Sequence, residues 1–313
     1  MEIPIIIVHK GDSFYLSPVL KQARLINPHS QIYLISDKST NKYSCVEHCY
    51  IELYMDGANE FQKVYKHMSS NFYAYELFCF QRWFVIRDFI KQKNIQHFLC
   101  LDSDVLLYCN VDEIFSRYLN YDFTVCHQIG PGNSLFNVSS IEKLCNLMLS
   151  FYTDERILGE LKSTYQNIVD KKLSGGICDM TAFMWYQNKV SDNVIDLSIP
   201  KNGVCFDGAI TVSSGFEMAG SKKRIYWKND LPYGKLVEDG TFVQFYCLHF
   251  QGRSKYSIFK YLLDDKNHHQ SGFFYTLTWM FSEKMLFARM KSIKKAVSNP
   301  SMLFNYIKKI VAR

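Results

Sequence analysis

Residues 3–8 form an unbroken apolar, β-branched run, Ile-Pro-Ile-Ile-Ile-Val, that stops at His9-Lys10-Gly11-Asp12. It reads as a buried strand opening into a loop, and it is far too short to cross a membrane. Helical periodicity follows over residues 18–26, and Gln31-Ile32-Tyr33-Leu34-Ile35 reads as a second strand ended by Ser36-Asp37. Strand, helix, strand in that order predicts a right-handed crossover in a mostly parallel sheet. Residues up to 71 are more polar and read as irregular. The expectation is an α/β domain over residues 1–255, followed by a helical, basic extension over 256–313.

Residues 71–92 carry the clearest helical pattern. At roughly 100° per residue, Glu76, Gln81, Arg87, Asp88 and Lys91 gather on one face. Arg82 falls nearly opposite, among Phe78, Cys79, Val85 and Ile86 on the inward face. A guanidinium there needs an anionic partner or costs several kcal/mol. That partner is either a carboxylate of the chain or a ligand phosphate or sugar.

A third apolar run, His97-Phe98-Leu99-Cys100-Leu101, opens directly into Asp102-Ser103-Asp104. Two carboxylates on one turn at a strand end present hard oxygen ligands suited to Mg²⁺ or Mn²⁺, ions that also hold substrate phosphates. In open α/β sheets, ligands bind beyond the carboxyl ends of strands. The bland alternative is a solvated turn capped by Asp104. Asn110-Val111-Asp112-Glu113 resembles a capping box that starts a helix near residues 114–118. Residues 122–127 suggest a strand, 130–133 a turn and 140–152 a helix. Asp179 begins another helix, carrying Phe183, Trp185 and Tyr186, so its carboxylate either caps that helix or faces a substrate. Residues 241–250 read as one last strand, ending at His249 and followed by Gln251-Gly252-Arg253-Ser254-Lys255. A histidine at the end of an apolar strand is ordinarily a satisfied core residue. Here Gly252 permits close backbone approach and Lys255 adds a point charge, the chemistry that a diphosphate requires.

The residues 98–107 and 110–115 together resemble the D-x-D segment of GT-A glycosyltransferases and the helix after it. His249-Phe250-Gln251-Gly252-Arg253-Ser254-Lys255 is similar to the H-x-x-G-x-x-K closing motif of glycosyltransferase family 8. Two departures stand out: Lys255 is followed by Tyr256-Ser257 where that family has Pro-Trp, and its Asp-Gln pair is matched here by Asp179-Met180. The resemblance implies a Rossmann-like GT-A fold with Asp102, Asp104 and His249 on Mn²⁺ (or Mg²⁺). It also implies a donor pocket of His9, Lys10, Arg82, Ser103, Gly252, Arg253 and Lys255, with Asp179 as the catalytic carboxylate. The implied reaction transfers a hexose from a nucleotide-diphosphate donor, a UDP-hexose, to a saccharide or glycolipid acceptor, with retention. A nucleotidyltransferase would also pair carboxylates with a metal beside a nucleotide, and a non-catalytic sugar- or nucleotide-binding protein would share the pocket.

Charge and cysteine usage sharpen the partners. The formal net charge is +6. From Glu283 to Arg313 there are 8 Lys and Arg against 1 acidic residue, so the remainder is close to neutral. That remainder lacks the basic stripe nucleic acid requires. Leu286, Met290, Ile293 and Val297 form one stripe of an amphipathic helix, with Lys284, Lys291 and Lys295 opposite, which either packs on the domain or lies on anionic lipid. Ten cysteines without a C-x-x-C pair, several of them (Cys100, Cys126, Cys247) inside apolar runs where a thiol behaves as a small hydrophobe, predict a reducing, cytoplasmic setting, at most peripheral on a membrane.

Overall fold

A computed structural model of the chain describes residues 2–127 and 130–263. The amphipathic helix and the membrane contact expected of the extension lie outside the described residues. A compact unit extends through Ile258.

The predicted first strand is β1 (Ile5–His9), the helix after it α1 (Leu16–Ile26) and the second strand β2 (Ile32–Ser36). The stretch expected to be irregular is instead structured. It holds β3 (Glu47–Tyr50), two 3₁₀ turns and α2 (Asp56–Val64), whose only buried side chains are Ala58 and Phe61. Next come α3 (Tyr73–Lys93), β4 (His97–Leu101), β5 (Val105–Leu107), α4 (Val111–Phe115), β6 (Phe123–Val125), β7 (Asn133–Asn137), α5 (Val138–Thr153) and α6 (Glu155–Asp170). The capping signal before α4 is real on one side: the Asn110 side chain accepts from the Glu113 amide at 3.0 Å. The chain continues through α7 (Asp179–Lys189), β8 (Val194–Asp196), β9 (Val204–Cys205), β10 (Met218–Ala219), β11 (Lys222–Lys223), β12 (Tyr226–Lys228), β13 (Leu231–Lys235), β14 (Phe242–Phe245) and β15 (Cys247–His249).

Seven strands make the central sheet in the order β3-β2-β1-β4-β7-β6-β8. All neighbours are parallel except β7, which is antiparallel to β4 and to β6. The sheet is therefore mixed, mostly parallel and flanked by helices, as expected. The chain lays strands outward from β1 on one side, then restarts beside it with β4. That reversal opens a crevice at the carboxyl ends of β1 and β4, the place where such sheets bind ligands.

Both faces of the sheet are packed. On one side Trp83, Phe84 and Phe89 of α3 join Phe98, Phe136 and Phe183 in an aromatic core. On the other, Leu16 and Leu20 of α1 meet Ile5, Ile7, Leu99, Leu101 and Phe115. Each fully buried ring or aliphatic side chain contributes about 2 kcal/mol of apolar transfer. The polar face expected on α3 is a solvent face only in part, Lys91 being exposed and Arg87 and Asp88 half-buried. Glu76 and Gln81 are buried, Glu76 accepting from Ser69 Oγ and Asn71 Nδ2, and Gln81 donating to the Ala58 carbonyl on α2. Packed between α2 and α5, α3 buries these groups against polar partners, which its periodicity does not reveal.

The last strand is likewise two strands. β14 belongs to a small sheet ordered β12-β13-β14-β9, whereas β15 pairs antiparallel with β5, His249 opposite Val105. The switch occurs at Tyr246, whose amide donates to Cys205 and whose carbonyl accepts from Tyr108.

A candidate metal centre at the switch point

Three segments meet beyond β4. The Asp102 amide donates to the Gly132 carbonyl at 2.7 Å, and the Val105 amide closes the aspartate turn onto the Asp102 carbonyl at 3.1 Å. The Phe250 amide donates to the Asp104 carbonyl at 2.9 Å, which stitches the end of β15 to the same turn. Backbone pairing alone thus carries His249, 145 positions after Asp104 in the chain, to the acidic pair.

One ligand atom from each of Asp102, Asp104 and His249 lies within 4.8 Å of the others. His249 Nε2 is 3.3 Å from Asp104 Oδ1 and 4.0 Å from Asp102 Oδ2. Ligand atoms held at about 2.1 Å around one small divalent ion lie roughly 3–4 Å apart, so this set fits such an ion after small side-chain adjustments. Gly132 supplies the space: a Cβ there would sit 2.7 Å from His249 Cε1 and 3.1 Å from Asp102 Oδ2. Two carboxylates with one imidazole make a donor set for a divalent cation of hard or borderline character rather than for a thiolate-loving metal.

Two cations flank the acidic pair. Arg82 reaches Asp102 Oδ1 at 2.7 Å through Nη1 and Asp179 Oδ2 at 2.9 Å through Nη2, while its buried Nε has no partner among the described residues. Its inward position on α3 therefore has a carboxylate explanation, and a double one. Lys255 Nζ lies 3.0 Å from Asp104 Oδ2 and 4.7 Å from the centre of the Tyr15 ring. Burial would raise the Asp104 carboxyl, but the His249 hydrogen bond and the charges of His249 and Lys255 hold it well below the usual range. Burial would lower His249, but the hydrogen bond to Asp104 and the charges of Asp104, Asp102 and Asp207 outweigh it and raise the imidazole.

The other residues read from the sequence fall around this cluster to different degrees. His9 Nδ1 is 2.9 Å from Ser103 Oγ, which ties the end of β1 to the aspartate turn. Burial, then the charge of Lys255, lowers the His9 pKa. Lys10 is exposed, with its ammonium over the Phe78 ring at 4.4 Å, one helical turn before Arg82. Gly252 has φ +56°, and both it and Arg253 are exposed in a 3₁₀ segment, Gly252–Tyr261, rather than in an open loop. Asp179 is the first residue of α7 and not its cap, a position held by Cys178. Its Oδ1 accepts from the Met180 amide, and its Oδ2 accepts from Arg82 and from Trp83 Nε1 at 3.1 Å. Both oxygens are engaged by the chain, and Asp179 reaches the metal cluster through Arg82.

Gly132, Asp207 and Lys223 were not visible as site residues. Gly132 reads in sequence only as part of a turn, and Lys223 stands in a Lys-Lys-Arg run that has the look of a solvated surface. All ten cysteines are free thiols. No helix among the described residues is long and apolar enough to cross a membrane.

No protein-family model matches the sequence, and no curated protein matches it. Among solved structures, the chain is similar to mouse xyloside xylosyltransferase 1 at 12% identity, over 65% of this chain and 87% of that one, with a TM-score of 0.44. It is similar to the galactosyltransferase LgtC in complex with donor and acceptor sugar analogs at 11% identity, over 63% and 73% of the two chains, with a TM-score of 0.38. A cytidylyltransferase from Leptospira borgpetersenii is similar at 12% identity, over 54% and 73%, with a TM-score of 0.31. These likenesses are partial ones of fold, and they leave the chemistry of the cluster to its own residues.

Proposed function

We propose that the chain is a metal-dependent glycosyltransferase of the GT-A type, moving a hexose from a UDP-sugar to a saccharide or lipid-linked acceptor. The observation that carries this reading is the convergence of Asp102, Asp104 and His249 at the switch point, with Arg82 and Lys255 on either side. Asp102, Asp104 and His249 would hold the ion, and the imidazole favours Mn²⁺ over Mg²⁺. When bound, such an ion supplies Lewis-acid stabilisation of a diphosphate leaving group.

The chain's own residues supply the rest. Lys255, a point charge on a flexible stem, is placed to bind diphosphate oxygens as negative charge builds on them. Arg82 has a planar fork already aimed at Asp102 and Asp179, so it orients both carboxylates and offers its remaining N–H to a sugar or phosphate oxygen. His9 and Ser103 fix the aspartate turn against β1, and Lys10, Gly252 and Arg253 complete the donor side. Asp179 is assigned to the sugar side, where a carboxylate shields positive charge on the ring. A nucleotidyltransferase has no need of the segment from His249 to Lys255, whereas here that segment lies against the acidic pair. The basic extension is assigned to anionic lipid, which would bring the enzyme to a lipid-linked acceptor.

Incubating the chain with UDP-hexoses, Mn²⁺ and simple saccharides tests the reading. UDP release that requires Mn²⁺ is expected, and NMR of the product is expected to show the donor's anomeric configuration. No release from any nucleotide-sugar would refute transfer, and an inverted linkage would refute retention.

A further inference from the structure

Behind the cluster lies a buried ion pair that the proposed chemistry does not use. Lys223, at the end of the β10–β11 ribbon, is 2% exposed, and Asp207, just after β9, is 1% exposed. Lys223 Nζ is 2.7 Å from Asp207 Oδ1 and 2.7 Å from the Ala209 carbonyl. Withdrawing two charges from water costs several kcal/mol each, and a buried pair is often replaceable by apolar side chains without loss of stability. Stability alone therefore gives little reason to place this pair here.

Its contacts give another. Asp207 Oδ2 accepts the backbone N–H of His249 at 3.0 Å. One turn on, the Ile210 amide donates to the His249 carbonyl at 2.9 Å, and the Lys223 amide donates to the Ile210 carbonyl at 2.7 Å. Asp207 and Ile210 thus hold the His249 backbone at both its N–H and its carbonyl. In the antiparallel β5–β15 ladder His249 faces Val105 and the next residue, Phe250, donates to Asp104, so the His249 N–H points away from β5, and a buried N–H requires an acceptor. The imidazole must meet Asp102 and Asp104 within a few tenths of an ångström to share an ion.

The geometry points to Asp207, its charge neutralised by Lys223, as a positioning residue that fixes the His249 backbone so that its imidazole completes the metal centre. This rests on the metal-centre reading above. The device needs a hydrogen-bond acceptor at position 207, and the charge of Lys223 serves to neutralise the carboxylate that provides it in a dry interior, a need that a neutral amide would not have. Partners outside the ligand shell of this kind are worth about 10–100-fold in metal affinity.

The test measures Mn²⁺ binding by the full chain, from the electron paramagnetic resonance of free Mn²⁺, alongside near-ultraviolet circular dichroism. Asp207→Asn with Lys223→Met keeps an acceptor for the His249 amide and removes both charges together, and its Kd is expected within threefold of the unsubstituted chain. Asp207→Leu with Lys223→Met removes the acceptor in an apolar pocket, and its Kd is expected to weaken by 10-fold or more. Equal affinities in the two folded double variants would overturn the assignment. If the leucine variant does not fold, the asparagine variant decides alone, since a loss of 10-fold or more there would overturn it. Absence of Mn²⁺ binding by the unsubstituted chain would instead overturn the metal centre itself, and with it any role in building one.

Discussion

Substituting Gly132 by alanine perturbs the metal centre without replacing a ligand. The added Cβ would stand 2.7 Å from His249 Cε1 and 3.1 Å from both His249 Nδ1 and Asp102 Oδ2. Carbon atoms settle at about 3.5–4.0 Å, so the imidazole has to recede by roughly 0.8 Å or the turn has to open by as much. Ligand atoms tolerate about 0.2 Å before metal geometry suffers. The ring is buried and its backbone is held on both sides, so the displacement falls on the ligand set. We expect Mn²⁺ affinity to fall at least 10-fold, about 1.4 kcal/mol, with an overpacking cost of about 1–3 kcal/mol to the fold. Calorimetric titration with Mn²⁺, paired with a urea melt, reads both. Gly159→Ala is the control: it lies in α6 with nothing within 4 Å of a Cβ, so it should leave Mn²⁺ binding unchanged and raise stability by about 0.5 kcal/mol. A Gly132→Ala variant that folds and binds Mn²⁺ within twofold of the unsubstituted chain would refute the reasoning.

Further outcomes follow from the same geometry. Arg82→Lys replaces a fork that spans Asp102 and Asp179 with a single ammonium. It should cost about 2 kcal/mol in a urea melt, and an unchanged midpoint would contradict the bridging role. Metal affinity should rise with pH, because the imidazole binds an ion only when neutral and Asp104 is ionised throughout. As the His249 pKa is raised above 6.5, the rise should continue above pH 6.5 before levelling, and an affinity flat from pH 5.5 to 8 would exclude His249 as a ligand. Removing the residues after Ser282 should release the protein from anionic vesicles in a flotation assay, whereas undiminished binding would remove the lipid role of the extension.

The legible parts of the fold were those where local sequence and tertiary environment agree. The apolar runs of β1, β2 and β4 read correctly because strands buried on both faces need no partner information, and the paired aspartates stood out because a strand end places them. The edge strand β3 is Glu-His-Cys-Tyr and α2 buries only two side chains, so neither carries enough periodicity to be read. The break at Tyr246 is invisible within a continuous apolar run, because it depends on Tyr108 and Cys205, more than forty residues away on either count. Arg82 was legible as a misplaced charge, but not as a bridge between two carboxylates, one of them 97 residues distant. Lys223 gave no signal at all, since burial of a cation in a Lys-Lys-Arg run is decided by where Asp207 sits.

The most direct measurement is the pulsed electron paramagnetic resonance spectrum of Mn²⁺ bound to the protein. Coupling to a single imidazole nitrogen, abolished in His249→Gln and retained in His9→Gln, is the expected result. Bound Mn²⁺ without nitrogen coupling, or coupling that survives His249→Gln, would contradict the convergence of Asp102, Asp104 and His249 on one cation.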